Sequence, residues 1–512
     1  SNSAHGLHQS TETLQMALAL HPHVAAAKQV VVFDAGSSGT RVHVFNVLPM
    51  VAGQHVPQFD LSVSRAQTRK LKPGLSHFGK HDDKEGARQS LRKLLDFARE
   101  KVPRARYSST PVLLKATAGL RALPQQQAET VLELARNVLA ESGFEFKRMW
   151  VDVIQGKEEA GLAWVAANFL SGTFDAIEQW DLKETCKNLP LHSQKRTACE
   201  EQRDRNFGSL GIIEMGGGST QVAFQVEASE HVAGNDKFVF TTAVGTQYHV
   251  YAHSYLGFGQ DYAQETLRTV IQAPQTLDPC YPVGYSRKAS GPMMKDLQWF
   301  VRGSGNGSEC KSHIEASLFN TSKEAPGRYP GERPLRGKLL ATENFFYLRQ
   351  NLQLPLLADA EALDDAVRTG CSKQVQPPEM ESGSADASDP NYCFGLSYQS
   401  ALLKTLRGSA VPGLQVEIAN TINGSAADWA LGAALEHALQ SLRHRDGDNE
   451  SLSEFSGSVA GWVLLAALLV PAALFGFLRR CNSKRQKKPL SDPEVGPVML
   501  GAVVDVEGHR AE

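Results

Sequence analysis

Two short segments hold the residue types and spacings that point to chemistry. In VVFDAGSSGTRVHVFNV, 31–47, an apolar run delivers Asp34 into a loop of Gly36, Ser37, Ser38, Gly39 and Thr40. In GSLGIIEMGGGSTQVAFQV, 208–226, a second apolar run delivers Glu214 into Gly216, Gly217, Gly218 and Ser219. Glycine lets backbone N–H groups approach an anion with no Cβ in the way, and Ser and Thr hydroxyls add donors. Each loop can therefore wrap a phosphate, and KATAGLR, 115–121, offers a third small-residue loop. A carboxylate beside a polyphosphate can hold Mg²⁺ or Ca²⁺, directly or through water, or act as base toward an attacking water. Asp34 and Glu214 suit the first task. No G-x-x-x-x-G-K-[ST] or G-x-S-x-G pattern occurs, and the 16 histidines show no zinc spacing.

The elements that must position these loops repeat. With an offset of 180, Asp34 meets Glu214, Gly36 meets Gly216, Thr40 meets Thr220 and Val42 meets Val222. This predicts two related lobes, each presenting an acid and a glycine hairpin to a common cleft. QVVVFD and RVHVFNV read as a hairpin. Helical periodicity over 86–102, 124–142 and 157–172 alternates with apolar strand runs at 111–120 and 149–156, which argues α/β. Further helices are predicted at 10–20, in CFGLSYQSALLKTL and over 425–442. The stretch 173–208 reads as a cysteine-bearing insertion, and 372–391 as an acidic, low-complexity surface loop.

The 512 residues suffice for two domains with their own cores, and a net charge of −2 gives no field that would attract nucleic acid. VAGWVLLAALLVPAALFGFL, 459–478, carries no charge and is long enough to cross a bilayer as a helix. Arg479, Arg480, Lys484, Arg485, Lys487 and Lys488 follow it and mark a cytosolic side. Residues 1–458 are then extracellular or lumenal. Cys186, Cys199, Cys280, Cys310, Cys371 and Cys393 precede the span, and only Cys481 follows. Neighbour pairing, Cys186–Cys199, Cys280–Cys310 and Cys371–Cys393, is the simplest connectivity. Glycosylation sequons fall at Asn306, Asn320, Asn423 and Asn449, all before the span. The chain opens on Ser1, which reads as the result of removing a signal peptide or upstream anchor.

Five segments, in order, resemble the conserved regions of the nucleoside triphosphate diphosphohydrolases, or apyrases: VVFDAGSSGTRVHVF, LLKATAGLRAL, VIQGKEEAGLAWVAANFL, GIIEMGGGSTQVAF and INGSAADWALGAAL. The resemblance implies two ribonuclease-H-like lobes of the actin and sugar-kinase architecture, with the active site between them. The expected organisation is an extension at 1–27, lobe I at 28–160 and 425–450, lobe II at 161–424, a stalk at 451–458, a transmembrane helix at 459–478 and a tail at 479–512. The implied activity is divalent-cation-dependent hydrolysis of nucleoside tri- or diphosphates to monophosphate and phosphate, without a covalent intermediate.

The resemblance also implies roles. Glu159 matches the catalytic base, and Ser219 and Gln221 the residues that position the attacking water. Asp34 and Glu214 match the acids that organise the cation through its water shell. Ser37, Ser38, Thr117, Ala118, Gly119 and Gly216 to Gly218 match phosphate-loop positions, and Trp429 a tryptophan near the cleft. Tyr347 and Tyr398 are candidates for stacking on the base. Four positions depart from the pattern: Glu214 where Asp is usual, Ala160 for Gly, Gly257 for a larger residue and Gly395 for an acid. Nucleotide preference therefore stays open, as do cell surface against Golgi lumen and a homo-oligomeric state. The competing readings are a catalytically silent nucleotide-binding or adhesion ectodomain of the same fold, and a sugar kinase, which the secretory features disfavour.

Overall fold

The computed structural model describes residues 28–51, 53–62, 67–174, 190, 193, 208–270, 277–291, 294–319, 333–356, 358–373, 391–408 and 414–443. Two mixed sheets organise these residues. The first has the order β3-β2-β1-β5-β6, from β1 (Lys28–Ala35), β2 (Thr40–Val47), β3 (Phe59–Asp60), β5 (Val112–Ala116) and β6 (Val151–Val153), and β4 (Thr68–Leu71) also pairs with β2. The second has the order β15-β14-β7-β8-β10-β9, from β7 (Gly211–Met215), β8 (Ser219–Gln225), β9 (Lys237–Thr241), β10 (Gln247–Leu256), β14 (Lys338–Glu343) and β15 (Gln415–Ile418). A smaller sheet, in the order β11-β13-β12, consists of β11 (Leu277–Asp278), β12 (Ser286–Gly291) and β13 (Met294–Gly303).

The repeat seen in the sequence is a repeat in register. Asp34 pairs with Arg41 and Ala35 with Thr40 in the first hairpin. Glu214 pairs with Gln221 and Met215 with Thr220 in the second. In each sheet a parallel strand then flanks the hairpin, β5 beside β1 and β14 beside β7. A hairpin alternates side chains between faces, so identical register puts both acids at the same point of their strands, one residue before the turn begins.

Helix α1 (Leu75–Lys80), α2 (Lys84–Lys101), α3 (Ala118–Arg121) and α4 (Gln125–Ala140) belong to the first sheet. On α2, Leu91, Leu94, Leu95 and Ala98 face the core with helical spacing and pack with Val31, Phe33 and Leu114. Helix α5 (Gly156–Leu170) differs, since every residue from Glu159 to Leu170 is buried. A helix apolar all round must be covered all round. Its core includes Val30, Val32 and Leu113 of the first sheet, Ile212, Ala223 and Ala252 of the second, and Ala430 to Leu435 of the helix over 429–443. Gly432 lets the two helices touch, because a Cβ there would lie 2.1 Å from the Leu162 carbonyl oxygen. The outer face of the second sheet packs on α6 (Gln260–Val270), α7 (Gly307–Leu318), α8 (Asn344–Asn351), α9 (Ala360–Cys371) and α10 (Tyr392–Arg407), through residues such as Phe345, Phe394 and Leu402.

The predicted helices over 86–102, 124–142 and 157–172 appear within a few residues of their expected bounds. Two expectations need correction. The strand at 149–156 shrinks to Val151–Val153, because a 3₁₀ turn takes Arg148–Trp150 and α5 begins at Gly156. The helix expected from 425 starts at 429, because residues 421–426 form a hairpin, Thr421–Ile422 against Ser425–Ala426. Its turn is Asn423-Gly424, with φ of 50° and 80°. That dipeptide adopts the two left-handed conformations a type I′ turn requires.

Disulfides join Cys280 to Cys310 and Cys371 to Cys393 as the spacing predicts. Cys186–Cys199, Asn320, Asn449, the 10–20 helix, most of 173–208 and of 372–391, the stalk, the 459–478 span and the tail lie outside the described residues. No helix among the described residues is long and apolar enough to cross a membrane. Asn306 and Asn423 are exposed, but both side chains are engaged: Asn306 caps α7 through the Glu309 N–H, and Asn423 Nδ2 donates to the Leu170 carbonyl.

The helix over 429–443 carries a built-in acid sensitivity. His437 packs edge-on against Trp150, with ring centroids 5.0 Å apart. Burial first, then Lys147 and Lys115, push its pKa down to about 4. A histidine whose folded pKa is depressed contributes stability that is present above its unfolded pKa and lost as pH falls toward the folded one. Between pH 7 and pH 5 the loss from this group is about 2 kcal/mol. His437→Phe keeps a ring against Trp150, so its denaturant midpoint is expected to fall less than wild type's over that range.

Candidate active site

The C-terminal ends of β1 and β7 deliver the two glycine loops into one cavity of about 810 Å³. Gly36, Ser37, Ser38 and Gly39 line one wall, Gly216, Gly217, Gly218 and Ser219 another, and Thr117 and Ala118 lie between. The loops approach closely. A Cβ on Gly217 would sit 2.9 Å from Ser37 Oγ, and one on Gly218 would sit 3.1 Å from the Ala118 Cβ. Gly119 backs this junction, 2.8 Å from Ser37 Cα by the same measure. It positions the first loop rather than lining the cavity. Thr40 also sits behind the wall, fully buried.

A helix start braces each loop, and a glycine precedes each helix. α6 receives the second loop, since the N–H groups of Gln260 and Asp261 donate to the Gly216 and Gly217 carbonyls at 3.0 Å. The Gly216 N–H closes the turn on the Ser219 carbonyl at 3.0 Å, and holding the loop's carbonyls from behind leaves the N–H groups of Gly217 and Gly218 to turn toward an anion. Gly259 permits this, because a Cβ there would lie 2.3 Å from the Ser219 nitrogen and 2.5 Å from the Gly217 and Gly218 carbonyl carbons. Gly74, before α1, is pressed against the first loop in the same way, 2.4 Å from the Gly36 carbonyl oxygen. All these neighbours are backbone and cannot swing aside. Gly259→Ala is expected to cost about 1–3 kcal/mol and to raise KM for nucleotide by displacing the second loop; thermal unfolding and steady-state kinetics on one preparation check both.

Six carboxylates line the cavity: Asp34, Asp60, Glu159, Glu214, Glu343 and Asp428. Burial pushes the Asp34 carboxyl up to about 8 against the opposing pull of Arg41, with Asp428, Glu159 and Glu343 adding to the rise. Burial also raises Glu214 well above the carboxylate range, and Glu159 and Glu343 add to it. Asp34 Oδ1 and Glu214 Oε2 are buried without a hydrogen-bond partner. Two such oxygens on facing hairpins fit a divalent cation, which would relieve the repulsion that holds their pKa values high. No three metal-ligating side chains meet at coordination distance among the described residues. Asp34 and Glu214 therefore fit a cation held in part by water or phosphate oxygen.

Glu159 stands at the start of α5, 6 % exposed. Its Oε2 accepts from Arg121 Nη2 at 2.6 Å. The same guanidinium reaches Ser219 Oγ and Ser254 Oγ at 3.4 Å, and its Nη1 donates to the Ile154 carbonyl at 3.2 Å. Gln221 Nε2 donates to Ser219 Oγ at 2.5 Å and to Ser254 Oγ at 3.1 Å. Burial raises the Glu159 pKa, and the Arg121 charge and hydrogen bond oppose the rise. Glu159, Ser219 and Gln221 are thus joined in one network, with Gln221 behind Ser219 rather than on the cavity wall.

Away from the loops the wall is formed by Phe346, Tyr347, Gln350, Asn420 and Trp429. Tyr347 is 39 % exposed, and its hydroxyl accepts from Asn420 Nδ2 at 2.8 Å. Tyr398 requires correction as a base-stacking residue. It is fully buried, stacked with Phe319 and Phe394, and its hydroxyl donates to the Phe258 carbonyl at 2.7 Å. Gly257 and Gly395, two of the departures, are structural here: Gly257 has φ of 89°, and a Cβ on Gly395 would meet Leu348 at 2.7 Å.

The profile of the GDA1/CD39 (nucleoside phosphatase) family matches residues 22–446. The chain belongs to this family. Like the family's apyrases, this nucleoside phosphatase is an enzyme. It is 32% identical over 447 residues to probable apyrase 6 of Arabidopsis thaliana, a match covering 82% of this chain and 74% of that one. It is 29% identical over 425 residues to ectonucleoside triphosphate diphosphohydrolase 5 of Mus musculus, covering 80% and 88%. The structure of nucleoside triphosphate hydrolases from Neospora caninum superposes with a TM-score of 0.57 at 16% identity, covering 86% of this chain and 97% of that one, a likeness of fold.

Several site residues of this nucleoside phosphatase escape a reading by motif. Arg121 and Arg41 lie inside the quoted segments, yet an arginine in an apolar motif gives no sign of its partner. Arg41 pairs across the cleft with Glu343 at 3.2 Å and on its own side with Asp428 at 3.5 Å. Glu343 adopts φ of 57°, held where Asn420 Oδ1 accepts from its N–H at 3.0 Å. Lys70 reaches the first loop from β4, with its Cε 2.7 Å from where a Gly39 Cβ would be. Its only signal is a cation in an otherwise ordinary strand.

Proposed function

We propose that the chain hydrolyses nucleoside tri- or diphosphates to the monophosphate and inorganic phosphate, by in-line attack of a water activated by Glu159. The observation that carries this is the joining of two glycine loops, an acid paired with Arg121 and a Ser–Gln pair around one cavity. The Gly36–Gly39 and Gly216–Gly218 loops, with Thr117 and Ala118, hold successive phosphates. Ser219, oriented by Gln221, places the water, and Glu159 takes its proton as the water oxygen bonds to the terminal phosphorus, the bond from that phosphorus to the bridging oxygen breaks, and the nucleotide, shorter by one phosphate, leaves. Asp34 and Glu214 would hold a Mg²⁺ or Ca²⁺ ion, which would offset phosphate charge. Phosphoryl transfer of this kind is catalysed mainly by positioning and electrostatics. Tyr347 offers its face to the base.

The lobes follow the ribonuclease-H-like plan of actin and sugar kinases, a reading supported by the repeated hairpin-plus-parallel-strand order. The two disulfides indicate an oxidising, secretory or lumenal compartment. The 459–478 run and the basic residues after it support a single-pass anchor with a cytosolic tail. Phosphate release from ATP, ADP, GDP and UDP, with Mg²⁺, Ca²⁺ or chelator, tests the activity. Turnover that chelator abolishes is expected. ATP and ADP turnover fits a surface apyrase, GDP or UDP preference a Golgi enzyme, and no release from folded protein returns the silent-ectodomain reading.

A further inference from the structure

The hairpin register sets Asp34 directly opposite Arg41, and Glu214 opposite Gln221. Opposed residues of a hairpin stand about 4.5–5.5 Å apart at Cβ, so an acid facing an arginine is expected to pair with it. The first hairpin therefore carries a competitor for its own acid, whereas the second faces its acid with a neutral amide. The structure shows that competitor turned aside. Arg41 Nη2 donates to Glu343 Oε2 at 3.2 Å, and Nη1 donates to Glu343 Oε1 at 3.4 Å and to Asp428 Oδ2 at 3.5 Å. Asp34 Oδ2 is farther off, at 3.8 Å, and Asp34 Oδ1 has no hydrogen-bond partner.

Glu343 does this from a strained position. It ends β14 with φ of 57°, a conformation that glycine adopts freely and other residues seldom do. Asn420, itself buried, keeps it there: its Oδ1 accepts from the Glu343 N–H at 3.0 Å, and its Nδ2 donates to the Tyr347 hydroxyl at 2.8 Å. Both groups of the amide are engaged, which fixes its orientation. Strain of this kind persists where the surroundings enforce it, and it concentrates where function uses it. We propose that Glu343 is a positioning residue for the cation: it holds Arg41 off Asp34, so that the Asp34 carboxylate stays open to Mg²⁺ or Ca²⁺. Without Glu343, two acids remain beside the guanidinium. Asp428 Oδ1 already accepts from the Ala430 N–H at 2.9 Å, whereas Asp34 Oδ1 is unpartnered, so Arg41 turns to Asp34. A guanidinium paired there competes with the cation for the same oxygens. The inference rests on the reading of Asp34 as a cation ligand.

The test is Ca²⁺ binding to the full chain without nucleotide, followed by calorimetry, with the part lost in Asp34→Asn taken as the site. Glu343→Gln is expected to weaken that binding about tenfold or more, the range for losing a group that orients a metal ligand. Asn420→Ala alters no charge but frees the Glu343 backbone, so it should weaken binding in the same direction. In an Arg41→Gln background nothing is left to hold aside, and adding Glu343→Gln should cost little. Unchanged binding in either single variant overturns the proposal. So does an equal loss from Glu343→Gln with and without Arg41, which would mean that Glu343 attracts the cation by its own charge. If the Arg41 variant does not fold, Asn420→Ala decides, since a role of charge alone leaves its binding at the wild-type level. Wild-type protein with no Asp34-dependent binding overturns the cation reading itself, and this inference with it.

Discussion

Glu159→Gln is expected to lower kcat by about 10²–10⁴-fold, the usual range for removing a general base, while nucleotide affinity changes little. The replacement is nearly isosteric, and its amide can still meet Arg121 and the Ser219–Gln221 pair, so the fold and the phosphate loops stay in place. What it removes is the ability to take a proton. Glu159 is suited to that task by two opposed influences. Burial raises its pKa, and Arg121 at 2.6 Å opposes the rise. The decisive comparison is between turnover and binding of a non-hydrolysable nucleotide in the same preparation. Turnover near wild type would move the base elsewhere in the cavity, and loss of both turnover and binding would make Glu159 a structural residue of the cleft.

The lobes were legible because glycine, acid and apolar run recur with a fixed offset, and the hairpin register follows from that pattern directly. The glycine loops were legible for the same reason: only a few residue types can let backbone amides close on an anion. Tyr398 shows where such reading fails. Its spacing from the glycine loops says nothing about which helix face it occupies. On α10 it points inward, between Phe319 and Phe394, and the apolar environment captures it. Glu343 fails in the opposite direction. It ends β14 with a backbone conformation that an L-residue seldom adopts, stabilised by Asn420 from far along the chain. Long-range contacts of that kind have no local signature. The helix start at 429 could have been found, since the Asn423-Gly424 pair is a strong hairpin signal between short apolar runs.

Arg121 leads to the second large effect. Among the described residues it is the cation paired with Glu159, and it also reaches the two hydroxyls, Ser219 and Ser254, around which Gln221 is arranged. Arg121→Ala therefore removes the charge that opposes the rise in the Glu159 pKa and also loosens the geometry proposed to place the water. A fall in kcat of about 10–10³-fold is expected, from the loss of a buried charge-assisted pair worth a few kcal/mol. The sign of the pH effect separates this role from a merely structural one. Without Arg121, burial raises the Glu159 pKa against the Gln221 hydrogen bond alone, so the acid limb of kcat/KM should move to higher pH and activity should recover in part as pH rises. Arg121→Lys keeps a positive charge but not the planar fork, so it should restore the position of the acid limb better than it restores kcat. A uniform loss at all pH values, equal in the alanine and lysine variants, would mean that Arg121 holds the Ile154 carbonyl and the start of α5 rather than tuning the base.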